Sequence, residues 1–169
     1  MYMQKITPCL WFDDKAEEAA KFYVNVFNNA PGSRKKSKVG KVARYDKASA
    51  KVAGRPEGSV LTVAFELDGQ GFVGLNGGPI FKFTEAVSFS VDCKDQKETD
   101  YFWEKLSAGG EESVCGWLKD KFGLSWQIVP SVLPKLLADP DPKKAARVMK
   151  AMLGMKKIDI VELQKAAKS

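Results

Sequence analysis

Hydrophobic and polar positions change period several times along the chain, and each change marks an element. Residues 4–12 (QKITPCLWF) read as a strand entering a core, and Asp13 or Asp14 is placed to cap the helix that follows. Ala16, Ala19, Ala20, Tyr23 and Phe27 recur at helical spacing with Glu17, Glu18 and Lys21 outward, until Asn28-Asn29 precedes Pro31-Gly32. A weaker strand covers 39–45, followed by a polar excursion over 48–58. From Ser59 to Asp68 the alternation is strict: Leu61, Val63, Phe65 and Leu67 share one face, and Val60, Thr62, Ala64 and Glu66 share the other. Asp68-Gly69-Gln70-Gly71 predicts a hairpin turn, with 72–76 as the returning strand.

The pattern then starts again. Val87, Phe89 and Val91 alternate with Ala86, Ser88 and Ser90, giving a second entering strand. Asp95 and Glu98 have the spacing of a capping box, and Thr99, Phe102, Trp103 and Leu106 predict a helix closed by Gly109-Gly110. Residues 117–119, a turn over 120–123 and residues 124–129 form another hairpin. Trp11-Phe12-Asp13 with Phe22-Tyr23 matches Ser90-Val91-Asp92 with Phe102-Trp103 at an offset of about 80 residues, so the chain reads as an internal repeat. Beyond Pro130 the character turns helical. Val132, Leu133, Leu136 and Leu137 make a short helix, broken at Asp139-Pro140. Asp141 caps the next helix with Pro142 at its first position; Ala145, Ala146, Val148, Met149 and Met152 line it up to Gly154. Residues 158–167 form the last helix, and such a tail is expected to pack on a sheet of its own or a partner's chain.

Composition narrows the chemistry. The chain has 169 residues, 44% of them hydrophobic, and no apolar run near the roughly 18 residues of a membrane span. Its first residues show no signal-peptide pattern, so a cytoplasmic protein without membrane contact is expected. Cys9, Cys93 and Cys115 are widely spaced and odd in number, which fits reduced, partly buried thiols better than a disulfide framework or a zinc site. The formal net charge is +6, and Arg34-Lys35-Lys36-Ser37-Lys38 with Lys41 and Arg44 concentrates part of it. No aromatic residue interleaves with that run before Tyr45 and no nucleic-acid-binding signature accompanies it, so a solvated hairpin face is expected and no nucleic-acid partner. The chain contains no histidine, which removes Ser-His-Asp and Cys-His catalysis and imidazole metal ligands.

Two stretches carry more than periodicity. Residues 75–89 (LNGGPIFKFTEAVSF) resemble the signature of the 3-demethylubiquinone-9 3-methyltransferase-like, or PhnB-like, branch of the vicinal oxygen chelate superfamily, the group that includes glyoxalases and bleomycin resistance proteins. Residues 115–127 (CGWLKDKFGLSWQ) are similar to that branch's closing hairpin. Leu10-Trp11-Phe12, Glu17-Glu18-Ala19 and Phe22-Tyr23 match its opening, and the tail from Leu137 onward matches as well. The resemblance implies an α+β fold: two βαβββ modules forming a cupped mixed sheet, with a C-terminal helical tail. The modules are expected at 1–83 and 84–130, the tail at 131–169, all within one structural domain. It further implies a homodimer with exchanged elements. It does not carry methyl transfer with it, because the usual enzymes of that kind need a glycine-rich loop opening a helix after a parallel strand. Gly69-Gln70-Gly71 is a turn instead, and Gly77-Gly78 leads toward aromatics.

Metal-dependent relatives take His and Glu ligands from inward strand positions. Those positions fall here near Thr7, Gly74 or Asn76, Ala86 and Gln127, a set without carboxylate, imidazole or thiolate. Such donors make no strong transition-metal site, so no metal and no cofactor is expected. What remains is a pocket lined by Thr7, Cys9, Trp11, Thr62, Asn76, Phe81, Ser88 and Gln127, apolar with a few directed polar groups. Each of Trp11, Phe81 and Phe83, taken singly, reads first as core, and Asn76 either opens the pocket mouth or only shapes the Asn-Gly-Gly turn. Glu66 is the carboxylate placed to look into the pocket if Thr62 does, or else a solvated residue at a strand end, while Glu85 and Asp120 sit in turns and are expected exposed. The reading is a small-molecule-binding protein with a metal-free pocket and an unidentified ligand, resembling the sequestering resistance proteins of the superfamily. The alternative is an enzyme of the same superfamily using Cys9 or a carboxylate.

Overall fold

The alternation read from the sequence resolves into two sheets of the same topology. The computed structural model describes residues 5–33 and 36–168. Its elements are β1 (Cys9–Phe12), α1 (Ala16–Asn28), β2 (Lys38–Arg44), α2 (Lys47–Ala53), β3 (Val60–Leu67), β4 (Gln70–Asn76), β5 (Ser88–Cys93), α3 (Gln96–Ser107), β6 (Glu111–Glu112), β7 (Trp117–Lys119), β8 (Ser125–Pro130), α4 (Val132–Leu137), α5 (Pro142–Leu153) and α6 (Ile160–Lys168). One sheet has the order β1-β4-β3-β2 and the other β5-β8-β7-β6. Each pairs its first and last strands in parallel and the rest antiparallel, so both are mixed. The chain forms two compact units, Met1–Lys82 and Phe83–Ser169. The internal repeat is therefore a repeat of strand order.

In the first unit, Leu10, Phe12, Val63, Phe65, Leu67 and Phe72 fill one face of the sheet together with Ala16, Ala19, Ala20 and Tyr23 of α1. Phe65 stacks on Phe72 at 5.2 Å between ring centroids. The β3–β4 hairpin turns through Asp68 and Gly69, both at positive φ, as the twist of a two-residue connection requires. Three expectations need correction here. Strand pairing of β1 begins at Pro8, whose carbonyl accepts from Val73 N, and Gln4 lies outside the described residues. Neither Asp13 nor Asp14 caps α1: the N-cap is Lys15, without a side-chain bond, and the amide of Ala16 donates instead to Asn76 Oδ1 at 2.8 Å. The excursion at 48–58 contains α2, where Asp46 accepts from Ser49 N and Ser49 Oγ accepts from Asp46 N, a capping box. Of the basic run, Arg34 and Lys35 lie outside the described residues, while Lys38 pairs with Glu66 and Arg44 with Glu17.

In the second unit, Val91, Cys93, Leu118, Trp126 and Ile128 bury against Phe102, Trp103 and Leu106 of α3. Asp95 caps that helix by accepting from Glu98 N, while Glu98 Oε2 accepts from Lys94 N, one residue before a box proper. The tail packs within this unit. Leu133, Val148, Ile158, Leu163 and Ala167 form a cluster with Val129 of β8 against it. Gln96 clamps the tail by donating to Ile158 O and accepting from Ile160 N. Met149, expected to line α5 inward, is 41% exposed.

Candidate functional site

Register decides which side chains share a face. In the first unit, Trp11, Leu75 and Thr62 form one row across β1, β4 and β3, and Cys9, Val73 and Ala64 form the next. Lys38, Glu66 and Gly71 form a third. All of these lie on the face opposite α1, which is less deeply covered. Glu66 does share the face of Thr62, as the alternation requires, but Lys38 Nζ stands 3.5 Å from its Oε2. Trp11 is held by its indole Nε1 donating to Gly78 O at 2.8 Å and by an edge contact with Phe81 at 4.9 Å. Gly77 lies so close under the indole that any Cβ there would come within 2.1 Å of Trp11 Cζ2.

Of the other residues expected in this pocket, Asn76 turns away from this face. Asn76 is buried on the α1 side, where Nδ2 donates to Val60 O, Oδ1 accepts from Ala16 N, and its carbonyl accepts from Tyr45 Oη. Its amide is used to bind three elements together. Phe81 is 61% exposed rather than core. Thr7 is exposed ahead of β1, and Cys9, expected partly buried, is exposed as well.

The second unit carries the more developed arrangement. One rung crosses all four strands as Ser88, Ser125, Lys119 and Glu111, and the next runs Ser90, Gln127, Trp117. Gln127 Nε2 donates to Ser88 Oγ at 2.9 Å, bringing together two residues expected in the pocket. A cavity of about 420 Å³ opens over this face, with Glu85, Glu111, Ser113, Trp117, Lys119 and Ser125 among its walls. Lys119 Nζ meets Glu85 Oε1 at 2.5 Å. That hydrogen bond lowers the pKa of Glu85 and raises that of Lys119, so both stay charged near neutrality.

Two supports of this wall were not visible in the sequence. Asp120, expected exposed, is 2% exposed and accepts from Phe122 N, Leu124 N and Trp126 Nε1. It closes the β7–β8 turn directly after Lys119. On the other side, Cys115 N and Gly116 N donate to Met155 O and Lys156 O, so the tail holds the loop that carries Ser113 and Val114. Gly116 has φ +83, and a Cβ there would meet Ile128 O at 2.7 Å.

The donor set does not suit a transition metal. Of the positions the resemblance implies, Thr7 presents an exposed hydroxyl, Gly74 no side chain, Asn76 an amide bonded to Ala16 and Val60, Ala86 a methyl and Gln127 an amide already bonded to Ser88. Among the described residues, no three His, Cys, Asp or Glu side chains are grouped to hold an ion.

The profile of the 3-demethylubiquinone-9 3-methyltransferase family matches residues 4–129. The chain belongs to that family. That membership, with the paired mixed sheets, puts it in the vicinal oxygen chelate superfamily. The PhnB protein from Bacillus cereus is 34% identical over 76% of this chain and all of its own, with a TM-score of 0.64. A protein from Pseudomonas aeruginosa, at 14% identity over 76% of this chain and 98% of its own, has a TM-score of 0.58. The fosfomycin resistance protein FosX from Listeria monocytogenes, at 15% identity over 82% of this chain and 100% of its own, has a TM-score of 0.54. The last two share the fold. Among curated proteins, none matches this chain. In this family member the glycine pairs serve turns: Gly69 lies in the β3–β4 connection and Gly77-Gly78 follow β4, so neither opens a helix. Among the described residues, no helix is long and apolar enough to cross a membrane.

Proposed function

We propose that this chain is a small-molecule-binding protein that works without a metal of the superfamily type. The observation that carries the reading is the second unit's open sheet face. There a hydroxyl–amide pair, Ser88 and Gln127, shares its rungs with Ser125, Lys119 and Trp117, which wall a cavity of about 420 Å³. A few fixed polar groups beside an aromatic wall are the usual make-up of a small-molecule pocket. The row of Trp11 and Thr62 supplies a second apolar surface in the first unit.

The same reading takes the protein as a cytoplasmic homodimer with exchanged elements. Ile6, Ile80, Phe81 and Val87 are large apolar side chains left exposed, and self-association would cover them. The three cysteines are free thiols, in keeping with a reducing compartment. No nucleic-acid partner enters this reading; Lys38 is paired with Glu66.

The test is a thermal-shift screen of the purified full chain against apolar and aromatic compounds, joined to elemental analysis. Stabilisation by a compound in metal-free protein supports the reading. No stabilisation by any compound, or a stoichiometric transition metal retained through purification, overturns it and returns catalysis to the front.

A further inference from the structure

The cavity of the second unit has a charge imbalance that the fold itself does not resolve. On the open face its walls carry two carboxylates, Glu85 and Glu111, and one ammonium, Lys119. Lys119 is taken up by Glu85 at 2.5 Å. Glu112 also borders the cavity, but its register partner is the buried Leu118 and its Oε1 accepts from Trp103 Nε1 of α3, so its carboxylate lies on the other face of the sheet. Glu111 faces Lys119 across β6 and β7, yet that lysine already serves Glu85. One negative charge, that of Glu111, therefore remains over a cavity whose aromatic wall is Trp117.

A second observation is independent of the charges. Ser125 is 1% exposed, lines the cavity, and its Oγ has no hydrogen-bond partner among the described residues. Buried hydroxyls are nearly always paired, because an unpaired one forfeits its bonds to water without replacement. A hydroxyl left unpaired at a cavity wall is suited to a ligand's polar group.

We propose that this cavity takes an aromatic organic cation, with its ammonium against Glu111, its ring against Trp117, and a polar group in reach of Ser125 Oγ. The inference rests on the small-molecule reading above and adds the chemical class. Both contacts act in the same direction: carboxylates attract the ammonium, and an indole face attracts a cation through its quadrupole. An anion would meet an unmatched carboxylate and a lysine already engaged.

The test is a titration of isotope-labelled full-length protein at neutral pH with three matched probes: naphthylmethylamine, naphthylmethanol and naphthylacetate. The amine is expected to bind about tenfold more tightly than the alcohol and the acetate most weakly, with shifts at Trp117, Lys119 and Ser125. Glu111→Gln, at an exposed position, should erase most of the amine's advantage and leave the alcohol's affinity unchanged. Ser125→Ala should weaken binding without lowering the thermal midpoint, which separates loss of a contact from loss of fold. Equal binding of amine and alcohol in this cavity overturns the cation preference and leaves the small-molecule reading intact. An amine advantage that survives Glu111→Gln also overturns it. Absence of shifts at those residues with every probe overturns both.

Discussion

Asn76 Oδ1 accepts the amide hydrogen of Ala16 at 2.8 Å, so the last residue of β4 caps the first helix across 60 positions of sequence. The same side chain donates to Val60 O, and Tyr45 Oη donates to the Asn76 carbonyl. One residue thus ties α1, β3, β4 and the end of β2 together. Replacing it by alanine orphans a buried donor and a carbonyl, so Asn76→Ala should cost about 3 kcal/mol, and Tyr45→Phe about 1 kcal/mol. Denaturant midpoints of the two variants check the order and the size.

Asp120 holds the turn behind Lys119 by accepting from two backbone amides and the Trp126 indole. Asp120→Ala leaves three donors without an acceptor in a buried turn, at a cost of about 3 kcal/mol. Asp120→Asn retains one acceptor oxygen and should fall between. Trp126 fluorescence follows the loosening of the indole, and chemical denaturation gives the energy.

The Cys93 thiol is pushed up to about 12, chiefly by burial, with the carboxylate of Glu98 adding to it. The fold therefore holds the neutral thiol, while an unfolded thiol ionises near 9. Stability from this group is complete below that value and is lost as pH rises from there toward 12, at about 1.4 kcal/mol per pH unit. Comparing wild type with Cys93→Ala over that range isolates it, because the lysines titrate in both. In native protein at neutral pH, Cys9 should react with a thiol reagent and Cys93 should not.

Gly116 lies where the tail meets the cavity wall. Gly116→Ala combines a strained positive φ with a Cβ pressed on Ile128 O and should cost about 2 kcal/mol. It should also weaken any ligand of the cavity, since the loop of Ser113 and Val114 would shift. Calorimetry with a bound probe reads both effects.

Local patterns were legible where one element's own residues determine it. The Val60–Leu67 alternation with Asp68-Gly69, the α1 stripe and the Asp141-Pro142 start of α5 needed nothing beyond neighbours in sequence. The repeat was legible because both halves spend their aromatic residues on the same helix and strand. The box of Asp46 and Ser49 was a local signal too, yet the polar stretch around it masked α2. What escaped depended on long-range partners. Asn76 looked like a turn residue because its clients, Ala16 and Val60, are distant. Asp120 looked exposed because a carboxylate in a turn ordinarily is, and only the return of β8 supplies its third donor, Trp126. Of the pocket residues read from sequence, Ser88 with Gln127 and Trp11 with Phe81 are paired; Glu111 was missed because a two-residue strand, β6, has no period to detect, and without it Trp117 and Lys119 read only as part of a hairpin.

The most direct measurement is a residue-resolved titration of chelator-treated full-length protein with an aromatic compound that stabilises it. Metal-free binding on the open face of the second sheet predicts saturable shifts clustered on Ser88, Trp117, Lys119, Ser125 and Gln127, unchanged by added divalent ions. Shifts that appear only after a metal is restored, or that fall away from that face, contradict the account.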